Sequence, residues 1–407
     1  MRVLFLTHRL PYAPNRGDRI RAYHILKALR NRGAEVALFS LVHDADEEGR
    51  IADLVGLVEQ VVVARVPRVR NLVRSVPALI GSRPLTHMLL DAPDVKRRLG
   101  ELVSRRPPDV VLAYCSGMAR FALEPPLDGL PCVIDMVDVD SEKWKAMGAA
   151  ARAPLGLVYQ REARMLARFE ATAAARAVAC TVVNERERKA LAVLAPGAAI
   201  EIASVGVDAA HFRPGGPPPS NGRVVFCGLM SYGPNDEAAQ WLGTRVWPHV
   251  KARRPDASLW IVGGEPSRTV QRLGETGHDI HVTGRVPDVR GYLWDSDVAV
   301  APLLHGRGIQ TKVLESLAAG VPTVITPLVA AGLPKDLREA CPAADTAEAF
   351  AAAILALLAR SPDDRRSIAA RSGIDNYAWD RCLAPLADLL CHAVGGPSGS
   401  ASERSCQ

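Results

Sequence analysis

The stretch from Val298 to Ile325 reads VAVAPLLHGRGIQTKVLESLAAGVPTVI and contains one complete strand–loop–helix–strand unit. Val298–Ala301 is a short apolar run typical of a buried strand, and Lys312–Ala319 predicts a helix. The glycine and proline that follow are helix-stop signals, after which Thr323–Ile325 again predicts a strand. Strands joined through a helix in this way run parallel to each other. The stretch therefore indicates an α/β fold with a parallel sheet.

The same alternation of short β-branched runs and helix-length amphipathic stretches continues on both sides of this unit. Further strands are predicted at Val3–Thr7, Glu35–Leu41, Val61–Ala64, Asp109–Tyr114, Cys132–Asp135, Ala177–Val182, Ala199–Ala203, Val224–Cys227, Ser258–Val262 and Ile280–Val282. Further helices are predicted at Gly17–Asn31, Asp91–Ser104, Pro154–Ala173, Glu185–Leu194, Asn235–Lys251, Val289–Trp294, Ala347–Leu358, Asp363–Gly373 and Asp380–His392. Alternating units of this kind predict parallel strands with helices on both faces of the sheet.

The segment Pro214–Gly222 reads PGGPPPSNG and interrupts the alternation, because such a cluster can continue neither a helix nor a central strand. The alternation restarts after it, which predicts two doubly wound, Rossmann-like parallel-sheet domains that face a central cleft. We assign the chain as follows: 1–213 an N-terminal domain, 214–222 a linker, 223–375 a C-terminal domain, 376–394 a terminal helix that packs back on the N-terminal domain, and 395–407 a disordered tail.

Composition narrows the class of protein. The chain has 407 residues, 48% hydrophobic and 23% charged, which is the composition of a globular protein with sizeable cores. Its formal net charge is +6, and residues 65–106 hold ten basic against three acidic side chains, so the surplus is local. None of the eight cysteines stands in a CxxC spacing, which argues against a disulfide framework or a zinc site. We find neither a leader pattern nor an apolar run of about 18 residues, so we expect a cytoplasmic protein without a membrane span.

The first candidate loop leaves the strand Val3–Thr7 and leads into a helix that begins at Gly17. Glycine lets the backbone approach a ligand closely, and a helix start offers free N–H groups to an anion. Arg19 and Arg21 could add positive charge; the alternative is an ordinary turn with solvated arginines. The loop does not have the GxGxxG sequence, so the fingerprint of dinucleotide binding is absent.

The second candidate loop lies between the strand and the helix quoted at the outset. Gly306 and Gly308 permit a tight backbone around phosphate oxygens, and the start of the helix supplies roughly half an elementary positive charge. Lys312 and Glu315 are three residues apart and share a helix face, where they could hold a diphosphate and ribose hydroxyls. The alternative is a surface ion pair.

The third candidate is Asp138-Val-Asp140, which follows the predicted strand Cys132–Asp135. Clustered carboxylates favour hard divalent cations, and a DxD sequence holds such a metal in some sugar-transferring enzymes. The pattern is weak, and Asp140 or Ser141 could instead cap the next helix. We expect no metal here, and Asp138 could face the cleft without one.

The basic stretch 65–83 mixes arginines with apolar residues. It could lie on an anionic membrane surface, or it could be a solvated helix face. Nucleic acid would also attract its charge, but the region lacks aromatic stacking platforms and carries no known nucleic-acid-binding motif.

Several segments together resemble the bacterial glycosyltransferases of family 4, which have the GT-B architecture. Gly306–Pro322 is similar to the E-x7-E segment and the E-A-x-A-x-G-x-P sequence of that family. Val205–Asp208, with Phe212 and Pro214, resembles its NGVDxxxFxP sequence. Further matches follow in the expected order at Phe226–Gly228, Ile261–Gly263, Val282–Val286, Val300–Pro302 and Tyr377–Trp379.

A narrower likeness, to the sugar transferases of bacterial exopolysaccharide systems, is carried by Arg16–Arg21, Asp135–Trp144 and Arg307–Glu315. The chain also departs from the family pattern. The first Glu of E-x7-E falls on Arg307, and the frequent catalytic His falls on Val137. The double glycine of the first loop is Arg16-Gly17, and the Arg/Lys pair after the first donor-domain strand is missing from Gly228–Pro234.

The resemblance implies a retaining, hexosyltransferase-type enzyme that moves a sugar from a nucleotide-diphosphate sugar to a hydroxyl, with no metal or other cofactor. The N-terminal domain would be the acceptor side, and the C-terminal domain would bind the nucleotide sugar. Catalytic roles are assigned to Asp138, Lys312 and Arg307. Donor-binding roles are assigned to Gly17, Gly228, Arg285, Val286, Gly306, Gly308, Ile309, Gln310, Thr311, Lys312 and Glu315.

The implied partners are the nucleotide-sugar donor and a lipid-linked or oligosaccharide acceptor, with no nucleic acid. The expected role is in bacterial exopolysaccharide or other cell-surface glycan synthesis, peripheral at the inner face of the plasma membrane through residues 65–106. Two alternatives stay open. One is a GT-B sugar-nucleotide epimerase or hydrolase. The other is a catalytically weak glycosyltransferase-like assembly subunit, which Val137 and Arg307 favour.

Overall fold

The computed structural model of the chain describes residues 1–12, 17–276, 279–306 and 308–395. The chain divides into two compact units: the first comprises Met1–Ser204 and the residues from Cys382 onward, and the second comprises Val205–Arg381. Each unit holds a parallel sheet. The central cleft predicted between two domains stays a prediction.

The sheet of the first unit consists of seven parallel strands. They are β1 Arg2–Thr7, β2 Glu35–Val42, β3 Gln60–Arg65, β4 Val110–Tyr114, β5 Cys132–Val137, β6 Ala179–Val182 and β7 Ile200–Ile202. Their order is β3-β2-β1-β4-β5-β6-β7. Every residue of β1 and β4 is buried, because helices cover both faces of the sheet at its centre. The strand order reverses between β1 and β4.

The helices of this unit pack on both faces of its sheet. They are α1 Gly17–Asn31, α2 Ala45–Gly49, α3 Arg68–Ser75, α4 Leu85–Leu89, α5 Val95–Arg105, α6 Ser116–Ala122, α7 Asp140–Ala150, α8 Leu155–Arg176 and α9 Glu185–Leu194, with short 3₁₀ turns at Ile51–Leu54 and Pro77–Leu79. A large apolar cluster joins the sheet to α5 and α6 through Phe39, Leu99, Met118 and Ile134.

The sheet of the second unit has five parallel strands. They are β8 Arg223–Cys227, β9 Ser258–Val262, β10 Ile280–Val282, β11 Val298–Ala301 and β12 Thr323–Ile325, in the order β10-β9-β8-β11-β12. Its helices are α10 Ala209–Phe212, α11 Gly233–Trp241, α12 Trp247–Lys251, α13 Arg268–Thr276, α14 Arg290–Trp294, α15 Thr311–Ala318, α16 Pro327–Ala330, α17 Lys335–Glu339, α18 Ala347–Leu358 and α19 Pro362–Ala370. A π-helical turn, Leu242–Val246, joins α11 to α12, and a 3₁₀ turn spans Ile374–Tyr377.

The last helix, α20 Trp379–Gly395, begins in the second unit and continues into the first. Its Asp388 accepts a 2.5 Å hydrogen bond from Arg32, the residue after α1. The division between the units falls after Ser204, earlier in the chain than the boundary predicted at 213.

The segment 214–222 is predicted to be a linker, but it is part of the second unit. Asp297 accepts hydrogen bonds from the backbone N–H groups of Asn221 and Gly222 over 3.0 and 2.6 Å. Arg366 donates to the Gly216 carbonyl over 2.7 Å. Because these side chains pair its backbone groups, the Pro/Gly-rich segment is packed onto the unit that follows it.

The predicted α/β class with doubly wound parallel sheets is confirmed, and a strand is present at each predicted position. The helix predicted at Asn235–Lys251 is present as α11, the π turn and α12. The predicted helices do not include α2, α3, α4, α6, α7, α10, α13, α16 or α17. Among the helices in the described ranges, none combines the length and the apolar character that crossing a bilayer requires.

Candidate functional site

The second sheet reverses its strand order between β8 and β11, so these two strands end side by side. Ligands of doubly wound sheets bind outside the carboxyl ends of the strands at such a switch point. Gly228 follows β8 directly, and the loop 302–310 leads from β11 into α15. The fold therefore brings these two predicted regions together.

Lys312, in the first turn of α15, carries its ammonium group to this switch point. Its Nζ donates to Asn235 Oδ1 over 2.5 Å and lies 4.7 Å from the centre of the Phe226 ring. Asn235 is buried, and its Nδ2 donates to the Leu229 carbonyl over 2.9 Å. The amide therefore fixes the position of the ammonium. Sequence reasoning missed Asn235, because it lies 77 residues from Lys312 and no local pattern marks it.

Gly228 must lack a side chain because of these two neighbours. A Cβ atom at this position would lie 2.8 Å from Asn235 Nδ2 and 3.1 Å from Lys312 Nζ. Gly263, which follows β9, has a φ of +147°, and a Cβ atom there would lie 1.8 Å from the Gly228 carbonyl oxygen. The turns after β8 and β9 are thus packed backbone against backbone. Because Gly228 has no side chain, the side of the Lys312 ammonium that faces it stays uncovered.

Burial shifts the pKa values of Lys312 and Glu315 toward neutral pH. Removal from water lowers the pKa of Lys312 to about 8, although Cys227 and Glu315 act to raise it. Removal from water also raises the pKa of Glu315 to about 7, although Lys312 acts to lower it. An anion bound beside Lys312 would favour its protonated form, so the charge of this pair can respond to a ligand.

The loop before α15 contains two glycines with backbone angles that side chains disfavour. Gly306 has a φ of +139° and Gly308 a φ of +75°. The Gly308 carbonyl also packs so closely on Gly332 that a Cβ atom there would lie 2.3 Å from its oxygen. The glycines thus allow a tight backbone at this point, as a phosphate-binding loop requires.

Three of the predicted donor-binding residues complete the entry into α15. Ile309 is buried, Gln310 has the extended backbone of an N-cap residue, and Thr311 begins the helix. Arg307 lies outside the described residues, so its catalytic role stays a prediction.

Arg285 and Val286 follow β10, at the edge of the same sheet. Arg285 is exposed, and its Nη2 lies 3.1 Å from Oε1 of Glu265, which is in the turn after β9 and has a φ of +59°. Val286 is half-buried and packs on the apolar cluster that contains Cys227. Arg285 is thus paired at the surface and Val286 packs inward, and the predicted contact of their backbone with a donor stays a prediction.

In the first unit, Gly17 begins α1, and its predicted place beside a donor stays a prediction. Arg19 and Arg21 are buried and paired, so neither the suggestion that they supply charge to a ligand nor the alternative of solvated arginines fits. Arg21 is buried and forms a two-pronged ion pair with Asp135, with distances of 2.8 and 3.0 Å. Arg19 donates to Glu47 over 3.0 Å and to the Tyr12 hydroxyl over 2.6 Å. Both arginines hold the fold together.

Asp138 lies in the turn between β5 and α7, and it is half-buried. Val137 before it has a φ of +64°, and the N–H of Val139 after it donates to Glu187 over 2.9 Å. The alternative that Asp140 or Ser141 caps α7 is wrong, because Val139 occupies the N-cap position and no side-chain hydrogen bond caps the helix. The carboxylate of Asp140 accepts instead from the Ser116 hydroxyl over 2.7 Å. In the described ranges, three or more metal-binding side chains do not cluster anywhere.

His8 and Cys115 mark the switch point of the first sheet, since they follow β1 and β4. The His8 ring stacks on Tyr114 with 5.7 Å between ring centres, and its Nδ1 lies 3.5 Å from Cys115 Sγ. Cys115 has a φ of +67°. Side-chain-bearing residues with positive φ concentrate at functional edges of folds, and Cys115 and Val137 both stand at this edge.

Comparison with known proteins finds similarity to glycosyltransferases over part of the second unit. Residues 221–360 match a family model described as group 1 glycosyl transferases. A GDP-mannose-dependent alpha-(1-6)-phosphatidylinositol dimannoside mannosyltransferase of Mycobacterium tuberculosis is 33% identical over 152 residues. That alignment covers 36% of this chain and 39% of the mycobacterial protein, so it spans about two fifths of the relative's length.

Solved structures match over almost the whole chain. Sucrose-phosphate synthase from Thermosynechococcus elongatus has a TM-score of 0.71 at 15% identity, covering 96% of this chain and 98% of its own. Anabaena HepE, solved in complex with UDP and glucose, has a TM-score of 0.64 at 14% identity, covering 96% and 99%. WaaG, a glycosyltransferase involved in lipopolysaccharide biosynthesis, has a TM-score of 0.62 at 16% identity, covering 95% and 99%. These matches confirm the predicted GT-B fold.

Proposed function

We propose that this chain, whose residues 221–360 match group 1 glycosyl transferases, is a retaining glycosyltransferase of family 4. It moves a sugar from a nucleotide-diphosphate sugar to a hydroxyl acceptor. The observation that carries the proposal is the placement of Lys312, Asn235 and Gly228 at the switch point of the second sheet, within the matched region. A relative named for GDP-mannose and a structure solved with UDP support a nucleotide diphosphate as the donor class.

The proposed chemistry follows from the charge that develops on the donor. As the bond from sugar to diphosphate breaks, the departing diphosphate gains negative charge, and groups already in place must stabilise it. Lys312 supplies an ammonium, and the helix start at Ile309–Thr311 supplies backbone N–H groups and the positive end of a helix dipole. Asn235 acts as a positioning residue, because its amide holds the ammonium in place.

The other residues are assigned roles by their positions relative to Lys312 or by the family resemblance. Glu315 lies one turn further along α15 and binds the ribose hydroxyls, while the backbone at Arg285–Val286 binds the base. Asp138 and Arg307 complete the proposed catalytic set, with Arg307 adding a cation where the family has an acid.

The proposed reaction needs no metal, because the cations of Lys312 and Arg307 oppose the charge of the diphosphate. Turnover should therefore be the same in excess EDTA as in millimolar magnesium. A rate that falls in EDTA and recovers on addition of magnesium would contradict metal independence.

The acceptor we propose is a lipid-linked or oligosaccharide hydroxyl, and the process is exopolysaccharide or other cell-surface glycan synthesis. The relatives that support this include a transferase named for a phosphatidylinositol dimannoside and one involved in lipopolysaccharide biosynthesis. The location that fits such an acceptor is the cytoplasm, peripheral at the inner face of the plasma membrane.

The donor is tested first with a panel of UDP-, GDP-, ADP- and TDP-sugars, measured by the shift in melting temperature. We expect one nucleotide to stabilise the protein and its sugar to be transferred to a hydroxyl acceptor. Incubation of that donor without acceptor should release little sugar. Release of free epimerised sugar would favour the epimerase or hydrolase, and stabilisation without transfer to any acceptor would favour the assembly subunit.

The role of Lys312 is tested with Lys312→Met. Removal of one preorganised donor to a developing anion costs about 10²–10³ in turnover, and we expect a loss of that size with an unchanged melting temperature. The matched control is Lys335→Met, which removes an exposed lysine in the same unit and should leave turnover as it is. Equal turnover of Lys312→Met and the wild type would contradict the proposed role of Lys312.

A further inference from the structure

The helix α3 exposes its apolar side chains and buries a polar one. Val69, Leu72, Val73 and Val76 recur at the spacing of a single helical stripe, which in a globular protein normally faces the core. Here their exposed fractions are 79, 62, 67 and 62%. Asn71, on the opposite side of the helix, is 3% exposed. The helix therefore faces outward.

Asn71 holds the helix in this orientation. Its Nδ2 donates to the carbonyl of Leu89 over 3.2 Å and to the carbonyl of Asp91 over 2.7 Å. These bonds tie α3 to the end of α4 and to the residues that follow it. Buried positions usually hold apolar side chains. The amide of Asn71 fits here only because backbone carbonyls accept its hydrogen bonds. These hydrogen bonds therefore keep the apolar stripe of α3 facing outward.

The apolar surface continues beyond α3. Ile80 is 95% exposed, and the residues around it are held by Arg161 of α8, which donates to the carbonyls of Leu79 (2.8 Å) and Gly81 (2.5 Å). Leu157, 63% exposed, lies one turn before Arg161 on the same face of α8. We call the surface formed by Val69, Leu72, Val73, Val76 and Ile80 the α3 surface.

Three exposed arginines lie close in the chain to the residues of the α3 surface. Arg70, Arg74 and Arg83 are exposed, and none of them forms an ion pair with a residue in the described ranges. The chain has no Asp or Glu between Glu59 and Asp91, so no acid of this segment offsets them. Guanidinium groups bind phosphate oxygens through two hydrogen bonds at once.

We propose that the α3 surface docks on an anionic lipid bilayer. The apolar stripe and Ile80 enter the boundary between head groups and acyl chains, while the three arginines bind lipid phosphates. The inference rests on the peripheral location proposed above and gives it a docking surface. It does not depend on the proposed sugar transfer, because no residue of the α3 surface belongs to the proposed donor site.

Charge and composition favour a bilayer over the two other occupants. A second copy of the chain meeting this surface symmetrically would bring the same unpaired arginines together, which repel. A nucleic acid would accept the arginines but would leave the apolar side chains in water. The chain also has no Phe, Tyr or Trp between Phe39 and Tyr114 on which bases could stack.

The test is flotation of the full chain with phosphatidylcholine vesicles that contain or lack phosphatidylglycerol, at low and high salt. We expect binding to vesicles with phosphatidylglycerol that weakens with salt. An arginine near an anionic surface contributes roughly fivefold in affinity, so Arg70→Gln/Arg74→Gln/Arg83→Gln should lose on the order of a hundredfold. The matched control Arg245→Gln/Arg253→Gln/Arg371→Gln neutralises three exposed arginines of the other unit and should bind as the wild type does.

The apolar part is tested with Leu72→Asp/Ile80→Asp, which should abolish flotation while the melting temperature stays unchanged. Val193→Asp, at a position of α9 that is 79% exposed, is the control and should bind normally. In a second readout, Ile80→Trp should give a blue-shifted fluorescence on addition of the vesicles, and Val193→Trp should not. Flotation equal for all variants, no binding by the wild type, or a dimer that Leu72→Asp/Ile80→Asp dissociates would overturn the proposal.

Discussion

At the scale of the residue, the charge of Lys312 changes within the pH range in which a donor would be bound. Burial lowers its pKa to about 8, against the attraction of nearby acidic groups. The ammonium is present below that pH and is lost above it. We therefore expect affinity for the preferred nucleotide diphosphate to fall as the pH rises from about 7 to about 9.5, as calorimetric titration would measure. Constant affinity over this range would contradict a role for the ammonium.

Asn235 offers a control for the assignment of this titration to Lys312. In Asn235→Asp a carboxylate replaces the amide oxygen that accepts from Lys312 Nζ over 2.5 Å. The added charge should raise the pKa of Lys312 and move the loss of affinity to higher pH. Asn235→Leu removes the acceptor without adding charge, and it should not move the loss of affinity to higher pH. An unmoved profile in Asn235→Asp would assign the titration to another group.

Gly228 is the position where the smallest change should matter most. The methyl group of Gly228→Ala would meet Asn235 Nδ2 at 2.8 Å and Lys312 Nζ at 3.1 Å, so the pair must shift. Overpacking of this kind costs about 1–3 kcal/mol of stability, and we expect donor affinity to fall as well. Gly233→Ala is the matched control, because a Cβ atom there meets nothing within 4 Å. Urea unfolding and donor titration of both variants measure the difference, and similar results for the two would argue against the close packing.

At the scale of the elements, a buried ion pair joins α1 to β5. Arg21 is 2% exposed and Asp135 is fully buried, and Arg21 also donates to the carbonyls of Ala203 and Ser204 over 2.9 and 2.8 Å. Thr181 of β6 donates to the same carboxylate over 2.8 Å. One guanidinium thus ties the first helix to the far side of the first sheet.

Loss of one partner of this pair should be costly. Arg21→Met leaves the carboxylate buried with its charge unbalanced, and breaking a buried pair in this way costs about 3–5 kcal/mol. The double variant Arg21→Met/Asp135→Leu removes both charges and should recover part of that loss. Arg188→Gln breaks an exposed pair with Glu185 and should unfold in urea as the wild type does. A single Arg21→Met variant as stable as the wild type would refute the structural role.

At the scale of the whole molecule, donor binding should stabilise the second unit, which holds the proposed donor site. Five of the six tryptophans lie in this unit, so tryptophan fluorescence reports mainly on its unfolding. A ligand at a hundred times its Kd stabilises by about 2.7 kcal/mol, and we expect the tryptophan-monitored midpoint to rise accordingly. Trp144→Phe removes the tryptophan of the first unit and should keep the shift. If the shift disappeared in Trp144→Phe, the donor-stabilised transition would belong to the first unit.

The sequence by itself determined the α/β class, the positions of the strands and the shared helix face of Lys312 and Glu315. These features depend on patterns within a few residues, such as apolar runs, helix-stop signals and the spacing of side chains along one helix. The order of its motifs also sufficed to predict the GT-B fold. Only the tertiary structure decided which distant groups meet: Asn235 beside Lys312, Asp135 against Arg21, and α3 with its apolar stripe outward. Those contacts join residues as many as 114 positions apart, and packing of whole elements, which no local pattern records, brings them together.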